Sequence, residues 1–125
     1  MKQHILIVDD DQSMRRLLEY NLGKKFDVTT AEDGQQALDL ICDGNKPDLI
    51  VADINMPKVD GYGFIQSLHA RKGYSHIPVI FLTAKAQSTD RIKGLKLGAE
   101  DYVVKPFNPE ELVIRIENIL RRLSN

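Results

Sequence analysis

The chain has 125 residues, the size of one ordinary domain and long enough to bury a core, so a single domain over residues 1–125 is expected. With 42% hydrophobic and 28% charged residues, and 17 basic against 18 acidic side chains, it is near neutral, and nothing in that balance favours direct nucleic-acid binding by this chain. Its one cysteine, Cys42, excludes an internal disulfide and is expected in the core, while no apolar run reaches the roughly 18 residues of a membrane span; no membrane partner and a cytoplasmic location are therefore expected.

Short apolar runs alternate with helical patterns along the chain. "ILIV" (5–8) predicts a first strand, and Met14, Leu17, Leu18 and Leu22 share one face of the helix that follows. "FDVTT" (26–30) predicts a second strand, and Ala37, Leu38 and Ile41 mark a second helix. "DLIVAD" (48–53) precedes a helix carrying Phe64, Ile65 and Leu68, although Gly63 in its first turn costs about 1 kcal/mol of helix propensity. "IPVIFLT" (77–83) leads into a weakly patterned helix around Ser88 to Leu97. "DYVVK" (101–105) precedes a helix with Leu112, Ile116, Ile119, Leu120 and Leu123 on one side. Asn108 suits that helix's cap, Pro109 its first position, and Glu111 stands where a capping-box acid belongs. Five βα units joined by short connections and right-handed crossovers predict an α/β fold, a flavodoxin-like doubly wound (βα)5 with a five-stranded parallel sheet ordered 2-1-3-4-5.

The strand ends carry the chemistry. Asp9 and Asp10 follow strand 1, Asp53 ends strand 3, Thr83 ends strand 4 and Lys105 ends strand 5. In the order 2-1-3-4-5 these four strands are neighbours, and the ligand crevice lies outside their carboxyl ends. Each residue alone has an ordinary explanation: an Asp caps a helix, a Thr satisfies local backbone, a Lys is solvated. Together they make a cluster that needs four separate strands to end correctly. Each close like-charged pair costs on the order of 4 kcal/mol at an effective dielectric near 20, so Asp9, Asp10 and Asp53 call for a cation. All-oxygen donors suit a hard ion that keeps several waters, Mg²⁺ before Ca²⁺. Asp11 lies past the strand and is expected to start the first helix.

Over essentially its whole length the sequence resembles the receiver domain of two-component response regulators, in "ILIVDDD", "DLIVADINMPKVDGYGFI", "IPVIFLTA" and "GAEDYVVKPFNPEEL". It is CheY-like, and similar in flavour to OmpR/PhoB-type receivers. The resemblance implies a phosphorylation-dependent switch served by a sensor histidine kinase. Asp53 resembles the phospho-accepting aspartate, Asp9 and Asp10 the acidic pair, Thr83 the switch hydroxyl, Tyr102 the switch aromatic and Lys105 the family's lysine. Mg²⁺ is implied on Asp10, Asp53 and the main-chain oxygen of Asn55, with Asp9 acting through bound water. Met56 and Pro57 match the family's "MP", and Lys105-Pro106 resembles a bond that is cis there. Such a chain catalyses its own phosphotransfer and autodephosphorylation without being a turnover enzyme, and Asn55 and Lys85 are expected to set the lifetime of the phosphorylated state. Tyr102 is expected to turn from solvent into a gap that opens behind Thr83.

Arg91, Glu100, Asp101, Glu111, Arg115 and Arg122 resemble the dimer face of DNA-binding regulators, with Arg91 facing Glu111, Asp101 facing Arg115 and Glu100 facing Arg122 across a two-fold axis. A phosphorylation-dependent homodimer and a transcriptional output follow from that likeness; a stand-alone regulator acting by protein contact is the alternative. A haloacid-dehalogenase-like phosphatase would use Asp9 as nucleophile but leaves the Asp53 motif unexplained. A flavin module would want a Ser/Thr/Gly phosphate loop where three aspartates stand.

Overall fold

A computed structural model of the chain describes residues 2–56, 59–84 and 88–123, apart from the side chains of residues 88–91. Pro57 and Lys85 and the side chain of Arg91 therefore lie outside the described residues. The element order is β1 (His4–Val8), α1 (Gln12–Leu22), β2 (Asp27–Ala31), α2 (Gly34–Cys42), β3 (Leu49–Asp53), α3 (Gly61–His69), β4 (Val79–Thr83), α4 (Ser88–Lys96), β5 (Asp101–Val104) and α5 (Pro109–Leu123). All strand pairs are parallel and the sheet order is β2-β1-β3-β4-β5, the expected doubly wound arrangement.

The period-2 alternation of the strands divides the core in two. Leu6, Val8, Ile50, Ala52, Val79 and Phe81 face α2 and α3, where Leu38, Ile41, Phe64, Ile65 and Leu68 meet them. Ile5, Ile7, Leu49, Val51, Ile80 and Leu82 face α1 and α5, against Leu18, Leu22, Leu112, Ile116 and Ile119. Burying each such side chain is worth about 1.5–3 kcal/mol, so the central strands, covered on both faces, carry much of the burial that stabilises the fold.

Helix starts follow side-chain chemistry. Asp11 accepts from the Ser13 N–H at 2.9 Å, Asp33 from Gln36 at 2.8 Å and Asp60 from Gly63 at 2.8 Å, each satisfying a donor that the first helical turn leaves unpaired. Asn108 likewise accepts from the Glu110 N–H at 2.9 Å, while Glu111 turns away from the cap and accepts from Arg115 at 3.1 Å.

Three expectations about the core need correction. Cys42 is exposed, because it follows the core-facing Ile41 by about 100° of helical rotation, and its Sγ meets the Arg71 guanidinium instead. Leu17 is 44% exposed for the same reason, lying about 100° from Leu18. Leu123 is 50% exposed at the last residue of α5, and Val113, absent from the expected stripe, is buried in its place.

Candidate functional site

Register brings the polar strand ends together. Val8 lies opposite Ala52, so the next residues, Asp9 and Asp53, leave β1 and β3 side by side. Asp53 lies opposite Leu82 and Thr83 opposite Val104, which sets Thr83 and Lys105 one step beyond on β4 and β5. The Lys105 N–H donates to the Thr83 carbonyl at 2.7 Å, and the Lys105-Pro106 peptide is cis, as the resemblance implied.

Carboxylate oxygens of Asp9, Asp10 and Asp53 all lie within 4.8 Å of one another. Asp9 is 1% exposed and Asp53 8%, whereas Asp10 faces solvent and leaves the cluster open on one side. The Lys105 ammonium reaches across to both buried acids, 3.3 Å from Asp53 Oδ2 and 3.4 Å from Asp9 Oδ2. Backbone donors hold the other oxygens: the Asp11 N–H on Asp9 Oδ1 at 2.9 Å and the Asn55 N–H on Asp53 Oδ1 at 3.2 Å. Burial pushes the Asp9 carboxyl above its ordinary range; the Asp11 N–H and the Lys105 charge oppose that push, and the charge of Asp53 adds to it. One ammonium is thus shared by two buried acids with a third carboxylate beside them. This donor set fits a hard divalent cation: it is all oxygen, carries excess negative charge and is open at Asp10. Asn55, exposed and two residues past Asp53, sits at the rim.

A glycine makes the loop after Asp53 possible. A Cβ on Gly61 would lie 2.7 Å from Ile54 Cα and 2.9 Å from the Asp53 carbonyl oxygen, so α3 could not start this close beneath the site with any other residue.

Thr83 is buried at the end of β4, as expected of a residue that faces the crevice. Tyr102 requires correction. It is 5% exposed in this structure rather than turned to solvent, with its ring edge-on to Phe81 (centroids 6.1 Å, 75°) and its hydroxyl 3.2 Å from that of Tyr62. Several of the charged residues expected at a dimer face also pair within one copy. Arg115 joins Asp101 at 2.7 Å and Glu111 at 3.1 Å, and Arg122 joins Glu100 at 3.3 Å.

Sequence patterns gave no sign of Tyr62, which meets Tyr102 across 40 positions, or of Arg15, whose guanidinium donates to the Asp9 carbonyl at 2.7 Å. The Tyr62 contact joins a helix to a distant strand and has no local pattern, whereas the Arg15 contact is local, six residues from Asp9, but ends on a backbone carbonyl that no side-chain pattern marks. Gly61 was visible only inside the "VDGYG" string, where its steric reason could not be read.

Residues 5–117 match the response regulator receiver domain family, and the chain belongs to that family. A probable transcriptional regulator ycf27 from Cyanophora paradoxa is 51% identical over 125 residues, covering 99% of this chain and 51% of that protein. The alkaline phosphatase synthesis transcriptional regulatory protein PhoP of Bacillus subtilis is 46% identical over 123 residues, covering 98% of this chain and 50% of that protein. The chain thus spans about half the length of these relatives. Among solved structures, the Vibrio cholerae chemotaxis protein CheY4 superposes with a TM-score of 0.89 at 31% identity, covering 94% of this chain and 98% of that one. The fold and the family are therefore those of a CheY-like receiver of a two-component response regulator, and no helix among the described residues is long and apolar enough to cross a membrane.

Proposed function

We propose that the chain, residues 1–125 as one receiver domain, is a phosphorylation-dependent switch in which Asp53 takes a phosphoryl group from the phosphohistidine of a sensor kinase. The observation that carries this is the focus on Asp53: buried at a strand end, 3.3 Å from Lys105 and beside two further carboxylates. An Asp53 carboxylate oxygen attacks phosphorus, the O–P bond forms as the P–N bond to the donor imidazole breaks, and that nitrogen keeps the electron pair. Transfer of this kind needs chiefly positioning and charge neutralisation. Asp10, Asp53 and the main-chain oxygen of Asn55, with Asp9 through bound water, would hold Mg²⁺, which would supply that neutralisation. Lys105, already poised over Asp53, pairs with one phosphoryl oxygen, and the Thr83 hydroxyl donates to another once the group arrives.

The added charge of roughly −2 and its acceptor oxygens draw Thr83 and Lys105 inward. Strand β4 leads into α4 and Lys105 directly follows β5, so the response reaches the α4-β5-α5 face. There the pairs of Glu100, Asp101, Glu111, Arg115 and Arg122, joined by Arg91, exchange partners with a second copy across a two-fold axis. Exposed pairs of this kind are worth about 0–1 kcal/mol each, so the dimer depends on activation and on salt. The likeness to the transcriptional regulators ycf27 and PhoP supports a receiver that serves a transcriptional output.

The test is chemical trapping. After incubation with acetyl phosphate and Mg²⁺, borohydride reduction and peptide mapping are expected to modify Asp53 alone, and Asp53→Asn to abolish the product. Modification at Asp9 would contradict the assignment and favour a haloacid-dehalogenase-like phosphatase.

A further inference from the structure

Tyr102 is held inward by three neighbours that belong to three different elements. Phe81 of β4 stands between two aromatic rings, edge-on to Tyr102 on one side and to Tyr62 on the other (centroids 5.7 Å, 72°). Gly94 of α4 lies against the Tyr102 ring so closely that a Cβ would come within 3.2 Å of Cε2. Tyr62 of α3 closes the arrangement through the hydroxyl pair at 3.2 Å, and its own ring lies under the Lys93 ammonium, 4.6 Å from the centroid. Tyr62 therefore touches α4 through Lys93, β4 through Phe81 and β5 through Tyr102. It stands one residue beyond Gly61, whose backbone is packed against Asp53.

We propose that Tyr62 is a positioning residue for the switch, a latch on α3 that holds Tyr102 inward before phosphate arrives. Resting as it does on Asp53 being the phosphoacceptor, the latch assigns part of the activation free energy to the contacts of Tyr62 with Tyr102 and Phe81 rather than to the phosphoryl group alone. A two-state receiver whose responsive side chain is already inward needs less differential stabilisation from phosphate to complete the change. The hydroxyl rather than the ring carries the effect: the T-shaped contact with Phe81 and the cation contact with Lys93 survive replacement by phenylalanine, and the bond to Tyr102 does not. Lys93 acts on the Tyr62 ring and leaves the Tyr62 hydroxyl in place, so its removal is the milder change.

Full-length chain labelled with 3-fluorotyrosine carries four reporters, Tyr20, Tyr62, Tyr74 and Tyr102, and Tyr102→Phe assigns the one of interest. Tyr20, 69% exposed, is an internal reference for a solvated ring. In wild type the Tyr102 fluorine should show little H₂O/D₂O solvent shift. In Tyr62→Phe it should move toward the solvated value of Tyr20, and beryllofluoride with Mg²⁺ should return it to the buried value. The concentration of beryllofluoride for half-maximal response should rise about fivefold, the size expected from loss of one neutral hydrogen bond. A Tyr102 fluorine in Tyr62→Phe indistinguishable from wild type, or an unchanged half-maximal concentration, would overturn the latch. A wild-type protein that ignores beryllofluoride would instead overturn Asp53 as acceptor, a separate failure from that of the free-state shift.

Discussion

The acid cluster and the α4-β5 corner belong to one sheet but are built differently. Asp9 and Asp53 project from β1 and β3, which are covered on both faces, and β3 is buried at every position. The corner is thin: β5 is a four-residue edge strand buried only at Tyr102, and Gly94 is the one buried residue among the described side chains of α4, with Ile92 and Leu95 each more than half exposed. Receiving a phosphoryl group demands oxygens fixed to within fractions of an ångström, which a stiff register provides. Passing the signal on demands an element with two packings of similar free energy, which few buried contacts provide. Under the function proposed above, the contrast between the two regions is a division of labour written in burial.

Paired glycine substitutions break the comparison most sharply. Gly61→Ala drives a Cβ against the backbone of Asp53 and Ile54 and is expected to cost about 3 kcal/mol, a fall in thermal midpoint of roughly 10 °C. Gly94→Ala presses only on the rings of Tyr102 and Phe81 while recovering about 1 kcal/mol of helix propensity, so its net effect should stay within about 1 kcal/mol. Equal losses by calorimetry would mean that the two regions are equally stiff.

A smaller effect comes from Asp9. Its carboxyl is raised above the ordinary value of 3.8 chiefly by burial, so at neutral pH the folded state carries an ionised group that it disfavours relative to the unfolded chain. The penalty is complete above the folded pKa, shrinks as pH falls through it and is gone below about 3.8. Asp9→Asn should therefore raise the thermal midpoint of the metal-free protein at pH 7, and the gain should fade on acidification. It should also weaken Mg²⁺ binding. A loss of stability at pH 7 without metal would show that the ion pair with Lys105 outweighs burial.

Much of the site was legible because strands buried on both faces read as unbroken apolar runs, so the polar residues that end them stand out, and register does the rest. Asp9, Asp53, Thr83 and Lys105 were found this way. What escaped depended on rotation or on distance in sequence. Cys42 and Leu17 sit one helical step from core residues, and a stripe read at periods of three and four does not say where its edge falls. Tyr102 turned inward because Phe81, Gly94 and Tyr62 offer it a place, and no run of neighbouring residues encodes that meeting. The pairing of Asp101 with Arg115 inside one copy was hidden for a related reason, since charges complementary across a two-fold axis are equally complementary within a chain.

Amide hydrogen exchange with and without beryllofluoride and Mg²⁺ tests most directly whether a stiff receiving region drives a pliant one. In the free protein the amides of β1 and β3 should be the best protected and those of α4 and β5 markedly less so. On activation, exchange at α4 and β5 should change by about tenfold or more, with β1 and β3 altered by less than about threefold. A change centred on β1 and β3 that leaves α4 and β5 as they were would contradict the division between the two regions.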